Sequence, residues 1–334
     1  MAEENNSSSV GRLAERVGCV AAEVERALAA PLALPGDLGS HRRWITTGVG
    51  ASEGPARLLA ALLRADGRVA DFAPISSFAD GAPAADACVV VSQGLSPNAR
   101  LPLARAAAYA RMILVTAHDA DHAGVAIVRH GPASEDGLLL RVVGPAAANA
   151  TVVRLAKAIT RETNGNGASH SPPDVGGALA TARQRALDAL GDHEPASMFE
   201  LAGLVASGDD TTLCDGLRHK LLEGLGRTHP PIWDVCALVH GPLQSFYERD
   251  ATLLSIEREP SRGDLHERLA RVLLPRHRVV RLRSKLPGAL AVLDFDLQLN
   301  HLLVEALRAR PRDLAEWPGK GCDGALYELG SPRI

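Results

Sequence analysis

The stretch Val89-Val90-Val91-Ser92-Gln93-Gly94-Leu95-Ser96-Pro97-Asn98-Ala99-Arg100 changes character in its middle. A β-branched apolar run stops, a run of mostly small or polar residues follows, and "LPLARAAAYAR" (101–111) then opens a helical pattern. A buried strand that ends on hydroxyls, an amide and a glycine just where a helix begins marks the carboxyl edge of a parallel sheet, where ligands collect. Helix N-termini leave N–H groups unpaired and carry partial positive charge, so an anion is the ligand such an edge suits.

Working outward, "RWITTGVG" (43–50) reads as strand, "GPARLLAALLRADG" (54–67) as helix and "VADFAPI" (69–75) as strand. "MILVTA" (112–117) and "GVAIVRHG" (124–131) continue the alternation, and "NATVVRLAKAITRETN" (149–164) closes it as a helix. Strand and helix in alternation is the signature of right-handed βαβ units. "GNGASHSPPDVGG" (165–177) is the best linker candidate. Beyond it the pattern resumes through "FELAGLVASG", "WDVCALVHG", "ATLLSIER", "RVVRLRS" and "ALAVLDFD", with helical stretches between them and "QLNHLLVEALRAR" last. The two halves read as two copies of one plan, each with a "HGP" at His130 and His240. Ahead of both, "VGRLAERVGCVAAEVERALA" is an amphipathic helix with Val10, Leu13, Val17, Val20, Ala21 and Val24 at helical spacing. The expected organisation is a disordered tail over 1–9, an N-terminal helix over 10–36, a first domain over 37–163, a linker over 164–176 and a second domain over 177–334.

Bulk properties agree with a two-domain globular chain. It has 334 residues, 46% hydrophobic and 22% charged, with a net charge of −3. Such balance gives no support to nucleic-acid or anionic-membrane binding. Apolar tracts are broken by arginine short of a membrane-spanning length, and no signal peptide is read at the start, so a cytoplasmic location is expected. Cys19, Cys88, Cys214, Cys236 and Cys322 lie far apart, without CxxC or paired His spacing. They are expected to be buried inert thiols rather than zinc ligands or disulfides.

Two strand ends of the first half carry chemistry. One offers Ser52 ahead of a helix, the other Ser92, Gln93, Ser96 and Asn98. These donors can hold a phosphate without Lys or Arg; equally, Ser96 or Asn98 can cap the helix. There is neither GxGxxG nor GxxxxGK[ST]. In the second half Glu223 follows Lys220 by three residues on an expected helix, the spacing of an ordinary surface pair. His240 ends an apolar run before Gly241-Pro242, where a histidine can fill a turn or titrate near neutrality.

Together "TTGVGASEGPARLLAALL", "VVVSQGLSPNA" and the Glu223…His240-Gly241-Pro242 segment resemble the sugar isomerase (SIS) domain, in the paired layout of the isomerase half of glucosamine-6-phosphate synthase. Ser92-Gln93 match the opening of the family's SQSGET-like loop, and Ser52 matches the serine of its first-strand loop. "GLRHKLLE" aligns with the family's GALKLKE-like helix, with Lys220 and Glu223 in place. "ARPRDLAEW" resembles the PRNLAKSV segment near the C-terminus. The resemblance implies an α/β fold of two tandem SIS-type domains, each a flavodoxin-like, doubly wound parallel sheet of five strands flanked by helices. It implies that Ser52, Ser92 and Gln93 hold the phosphate of a sugar phosphate, with Ser96 or Asn98 assisting. Glu223 would move a proton between C1 and C2 through a cis-enediol, and His240 would open the ring, reaching across a homodimer interface. No metal or other cofactor is implied.

Two departures shape the expected reaction. Gly94 and Pro97 replace the serine and threonine that complete the family's phosphate loop. Glu316 stands where the family has its Schiff-base lysine, leaving Lys320 in "WPGKG" as the nearest amine. Glu316 is read either as a second acid or base or as a helix-capping surface carboxylate. With no glutaminase domain in the sequence, aldose–ketose isomerisation without amination is the leading expectation. A non-catalytic sugar-phosphate-binding module, or a lyase or deglycase on an amino-sugar phosphate, remains the alternative.

Overall fold

The computed structural model describes residues 2–132, 134–164, 173–260 and 264–329. In chain order the elements are α1 (Ala2–Ala29), β1 (Arg43–Thr47), α2 (Glu53–Ala65), β2 (Val69–Phe72), β3 (Ala87–Val91), α3 (Arg100–Leu103), β4 (Arg111–Thr116), β5 (Val125–Arg129) and α4 (Val143–Asn164). There follow α5 (Val175–Ala180), α6 (Ala182–Leu190), β6 (Leu201–Ala206), α7 (Asp215–Leu225), β7 (Ile232–Asp234), α8 (Val235–Leu238) and α9 (Pro242–Phe246). The last are β8 (Ala251–Arg258), α10 (Leu265–Val272), β9 (His277–Ser284), α11 (Ala291–Ala309) and α12 (Gly324–Tyr327). The strands form two sheets, each parallel throughout.

The chain divides into two compact units. One comprises Ala22–Asp136, Val143–Pro172 and Trp317–Ile334. Its five strands run in the order β2-β1-β3-β4-β5, the doubly wound order of flavodoxin-like folds. Every residue of β3 is at 0% exposure, as a parallel strand covered on both faces must be. Beyond β3 the anticipated helix over 101–111 is broken: α3 is a single turn, followed by a 3₁₀ turn at Ala106–Ala108.

The other unit comprises Met1–Ala21, Gly137–Val142 and Pro173–Glu316. Its sheet has four described strands, in the order β7-β6-β8-β9. The expected fifth strand is corrected: "ALAVLDFD" opens α11 instead. This helix buries all of its residues from Ala291 to Asn300. A short apolar run bounded by Pro and Gly carries no periodicity that tells a fully buried helix from a buried strand.

The units are thus interleaved rather than consecutive, and α1 contributes to both. This helix begins at Ala2, so the polar opening that reads as a disordered tail is helical. Val10, Leu13, Val17, Val20 and Val24 are buried as the periodicity requires. The linker stretch over 165–172 lies outside the described residues. The cysteines differ from expectation. Cys88 and Cys214 are buried, with the Cys88 thiol pushed up to about 12 by burial, whereas Cys19, Cys236 and Cys322 are exposed. Among the described residues no helix is long and apolar enough to cross a membrane.

Candidate functional site

In the five-stranded unit the strand order reverses between β1 and β3, whose carboxyl ends lie side by side with Thr47 opposite Val90. The chain leaves β1 through Gly48. A Cβ there would lie 2.5 Å from the Ser52 carbonyl oxygen and 3.1 Å from that of Val91, so only glycine permits this packing. Ser52, at the start of α2, and Ser92, just after Val91, are thereby brought to one edge. Ser52 occupies the cap position of α2 without making a side-chain capping bond. Ser92 is 5% exposed and its N–H donates to the Val115 carbonyl at 2.9 Å, extending the ladder one residue past β3. Thr47 adds a hydroxyl the sequence reading passed over; its Oγ1 is buried with no hydrogen-bond partner among the described residues.

The other three candidates are placed differently. Gln93 donates its amide to the Pro132 carbonyl at 3.2 Å and to Glu135 Oε2 at 3.3 Å. Glu135 in turn accepts the N–H groups of Val143 at 3.0 Å and Gly144 at 2.7 Å, at the start of α4. A carboxylate of the chain itself therefore holds that helix N-terminus, and Gln93 is drawn toward it. Asn98 donates to the Leu326 carbonyl at 2.8 Å, tying the loop to α12. Ser96 accepts the Ala99 N–H through its carbonyl at 2.9 Å and makes no side-chain capping bond. Between Gln93 and Ser96, Leu95 adopts φ 51°, a left-handed conformation unusual for a branched aliphatic residue.

In the four-stranded unit α7 carries Glu223, Lys220 and His219. The helix ends at Gly226, whose φ of 65° and N–H bond to the Leu222 carbonyl at 2.9 Å form a left-handed cap. Glu223 is half-buried and accepts the Arg141 N–H at 3.4 Å. Burial pushes its carboxyl up to about 7, against smaller opposing effects of that N–H, His219, Arg141 and Lys220. A carboxylate poised near neutrality is what proton transfer beside a carbonyl requires.

Lys220 is not the surface partner of Glu223 that the i,i+3 spacing suggests. It is 2% exposed, and its Nζ lies 2.7 Å from Asp296 Oδ2 and 2.9 Å from Asn300 Oδ1, both on α11. This buried trio went unread because its members lie 76 and 80 positions apart.

His240 is exposed in a turn, its N–H donating to the Ala237 carbonyl at 3.1 Å. Gln244 stabilises that turn: its Oε1 accepts the Gly241 N–H at 2.9 Å and its Nε2 donates to the Val239 carbonyl at 3.0 Å. Gly241 sits at φ 123°, which explains the glycine. Glu316 and Lys320 are exposed, in a bend and a turn. They also belong to different units. Among the described residues no group of three or more His, Cys, Asp or Glu could hold a metal.

The fold has solved counterparts. The C-terminal domain of glucosamine-fructose-6-phosphate aminotransferase from Francisella tularensis superposes with a TM-score of 0.69 at 13% identity, over 92% of this chain and 98% of that one. Tagatose-6-phosphate ketose/aldose isomerase from Escherichia coli gives 0.58 at 14% identity, over 95% of each. Glucosamine-6-phosphate deaminase from Thermotoga maritima gives 0.65 at 11% identity, over 89% and 93%. The α/β fold expected from the SIS resemblance is the fold these neighbours share. No family model matches the chain, and no curated protein does.

Proposed function

We propose that the protein is an aldose–ketose isomerase of a phosphorylated sugar, working through a cis-enediol and without amination. The observation that carries this reading is Glu223, a half-buried carboxyl raised to about 7 on the helix where the resemblance places the catalytic base. Ser52 and Ser92 hold the phosphate, with Ser96 as a third hydroxyl. Gln93 and Asn98 support the loop, through Glu135 and the Leu326 carbonyl, and are released from the direct role the sequence reading gave them. Glu223 takes the proton from C2 of the open-chain aldose and returns it at C1, while the O2 hydroxyl proton passes to O1, leaving a ketose. His240 assists ring opening from its exposed turn, in the site of a second copy of the chain. Glu316 and Lys320 have no step in this scheme. The neighbours named for a tagatose-6-phosphate isomerase and a glucosamine-6-phosphate deaminase support the substrate class, and a cytoplasmic homodimer fits it.

The test is deuterium incorporation. A panel of aldose phosphates from hexose to octose is incubated with the protein in D₂O and C2 is followed by NMR. Exchange with at least one sugar, abolished in Glu223→Gln, is expected; no exchange with any of them removes the isomerase reading. The engaged amides of Gln93 and Asn98 favour a second reading, a sugar-phosphate-binding module. A ligand-induced rise in melting temperature without exchange selects it.

A further inference from the structure

A continuous hydrogen-bonded chain in the four-stranded unit stands apart from all the residues above. Ser207 directly follows β6, which pairs with β8 in register at Ala206 and Ile256. The strand order of this sheet reverses there, the position at which doubly wound sheets take ligands. Ser207 Oγ lies 2.9 Å from His266 Nε2 on α10. The other ring nitrogen, Nδ1, lies 2.8 Å from Ser255 Oγ, which lies 2.8 Å from Glu257 Oε1. Arg281 grips Glu257 with two bonds of 2.7 and 2.9 Å, and Arg283 approaches at 3.3 Å. Ser207, His266, Ser255 and Glu257 are 5%, 8%, 1% and 4% exposed.

The direction of every proton follows from valence. An ionised carboxylate only accepts, so Ser255 donates its single proton to Glu257. Its oxygen must then accept from Nδ1–H, which leaves Nε2 of a neutral ring as a lone pair. Ser207 therefore donates to Nε2. The charge states agree: burial alone would raise the Glu257 carboxyl, but Arg281 and Ser255 hold it low, and burial keeps the His266 ring neutral. A hydroxyl aimed at an unprotonated ring nitrogen, with the tautomer fixed by a third group, is the arrangement that activates a serine nucleophile. Arg258, the next residue after Glu257, pairs with Asp210 at 2.5 Å and keeps its Nε buried without a partner among the described residues. Its Nε–H is thus a donor left over at the same strand ends, of the kind that can stabilise a carbonyl oxygen gathering negative charge on attack.

We propose that Ser207 is the nucleophile, and His266 the base, of a second reaction centre acting on esters of small carboxylic acids. Ser207 Oγ bonds to the carbonyl carbon while His266 Nε2 takes the hydroxyl proton. The bond to the alcohol oxygen breaks, and the alcohol leaves with that proton. Water then attacks the acyl-serine, passing a proton through His266 to Ser207 Oγ, and the carboxylic acid is released. Ser255 and Glu257 are positioning residues that set the tautomer.

The full chain is treated with an alkyl fluorophosphonate, which forms an Oγ–P bond as the P–F bond breaks and fluoride leaves. Expected are a single adduct on the Ser207 peptide by mass spectrometry and hydrolysis of p-nitrophenyl acetate, both lost in Ser207→Ala. His266→Gln should slow labelling roughly 100-fold. Should that variant melt at the assay temperature, Ser255→Ala decides, because it leaves the ring in place and breaks only the relay; a loss of about tenfold is expected there. The labelling rate should fall on the acid side only below the ordinary histidine range, since burial of the ring, helped by Arg281 from β9, outweighs the opposing pull of Glu257 from β8, Asp210 after β6 and Glu267 on α10. No adduct, an adduct elsewhere, or Ser207 labelling unchanged in the folded His266 or Ser255 variants overturns the proposal.

Discussion

At the scale of single residues, Glu223 ties stability to function with a definite sign. Its folded carboxyl titrates near 7 against 4.5 for the ordinary group, so the folded state binds the extra proton. That contribution is fully present below about pH 4.5 and is lost as pH rises through 7. Glu223→Gln should therefore melt above the parent at pH 8, with the gap closing toward pH 5, as thermal denaturation across that range would show. As a base Glu223 must be ionised, so kcat/KM for the exchange should rise with pH through an acid limb near 7. The glycines make a second prediction. Gly48→Ala meets two backbone carbonyls and should cost about 1–3 kcal/mol by chemical denaturation. Gly144→Ala meets only the end of the Gln93 side chain, 2.1 Å from Nε2, which can rotate away. It should cost less and loosen Gln93 from Glu135. The placement of Ser52 and Ser92 at strand ends and of Glu223 on a helix was legible because motifs fix those positions. The diversion of Gln93 was not, because its partner Glu135 lies 42 positions away in an irregular segment.

Among elements, α11 explains most of what the sequence concealed. Asp294 and Gln298 share one face, where Asp294 meets Arg185 of α6; Asp296 and Asn300 share another, meeting Lys220 of α7. A helix buried on every side shows no polar stripe, so its periodicity blurs and its first turns read as a strand. The parallel order of both sheets, by contrast, follows from βαβ alternation and was readable throughout. The tie between α7 and α11 rests on Lys220, because removing one partner of a buried pair strands the other charge. Lys220→Met should cost about 3–5 kcal/mol, read as a lower denaturation midpoint at unchanged slope.

For the molecule as a whole, the interleaving of the units bears on how it can be divided. A cut in the Gly-, Ser- and Pro-rich stretch after Asn164 looks harmless by composition, and expression of 173–334 alone would be the natural experiment. That fragment would lack Gly137–Val142 and the first part of α1, both of which belong to its unit. It would also carry Trp317–Ile334, which belongs to the unit that is absent. Such a fragment should be recovered as aggregate, and light scattering would show it. The missing backbone amide of Arg141 matters most, because no neighbouring side chain can replace a main-chain donor supplied from another stretch. Truncation would therefore alter the acidity of Glu223 even in a fragment that stayed folded, so half-molecules are poor vehicles for measuring its chemistry.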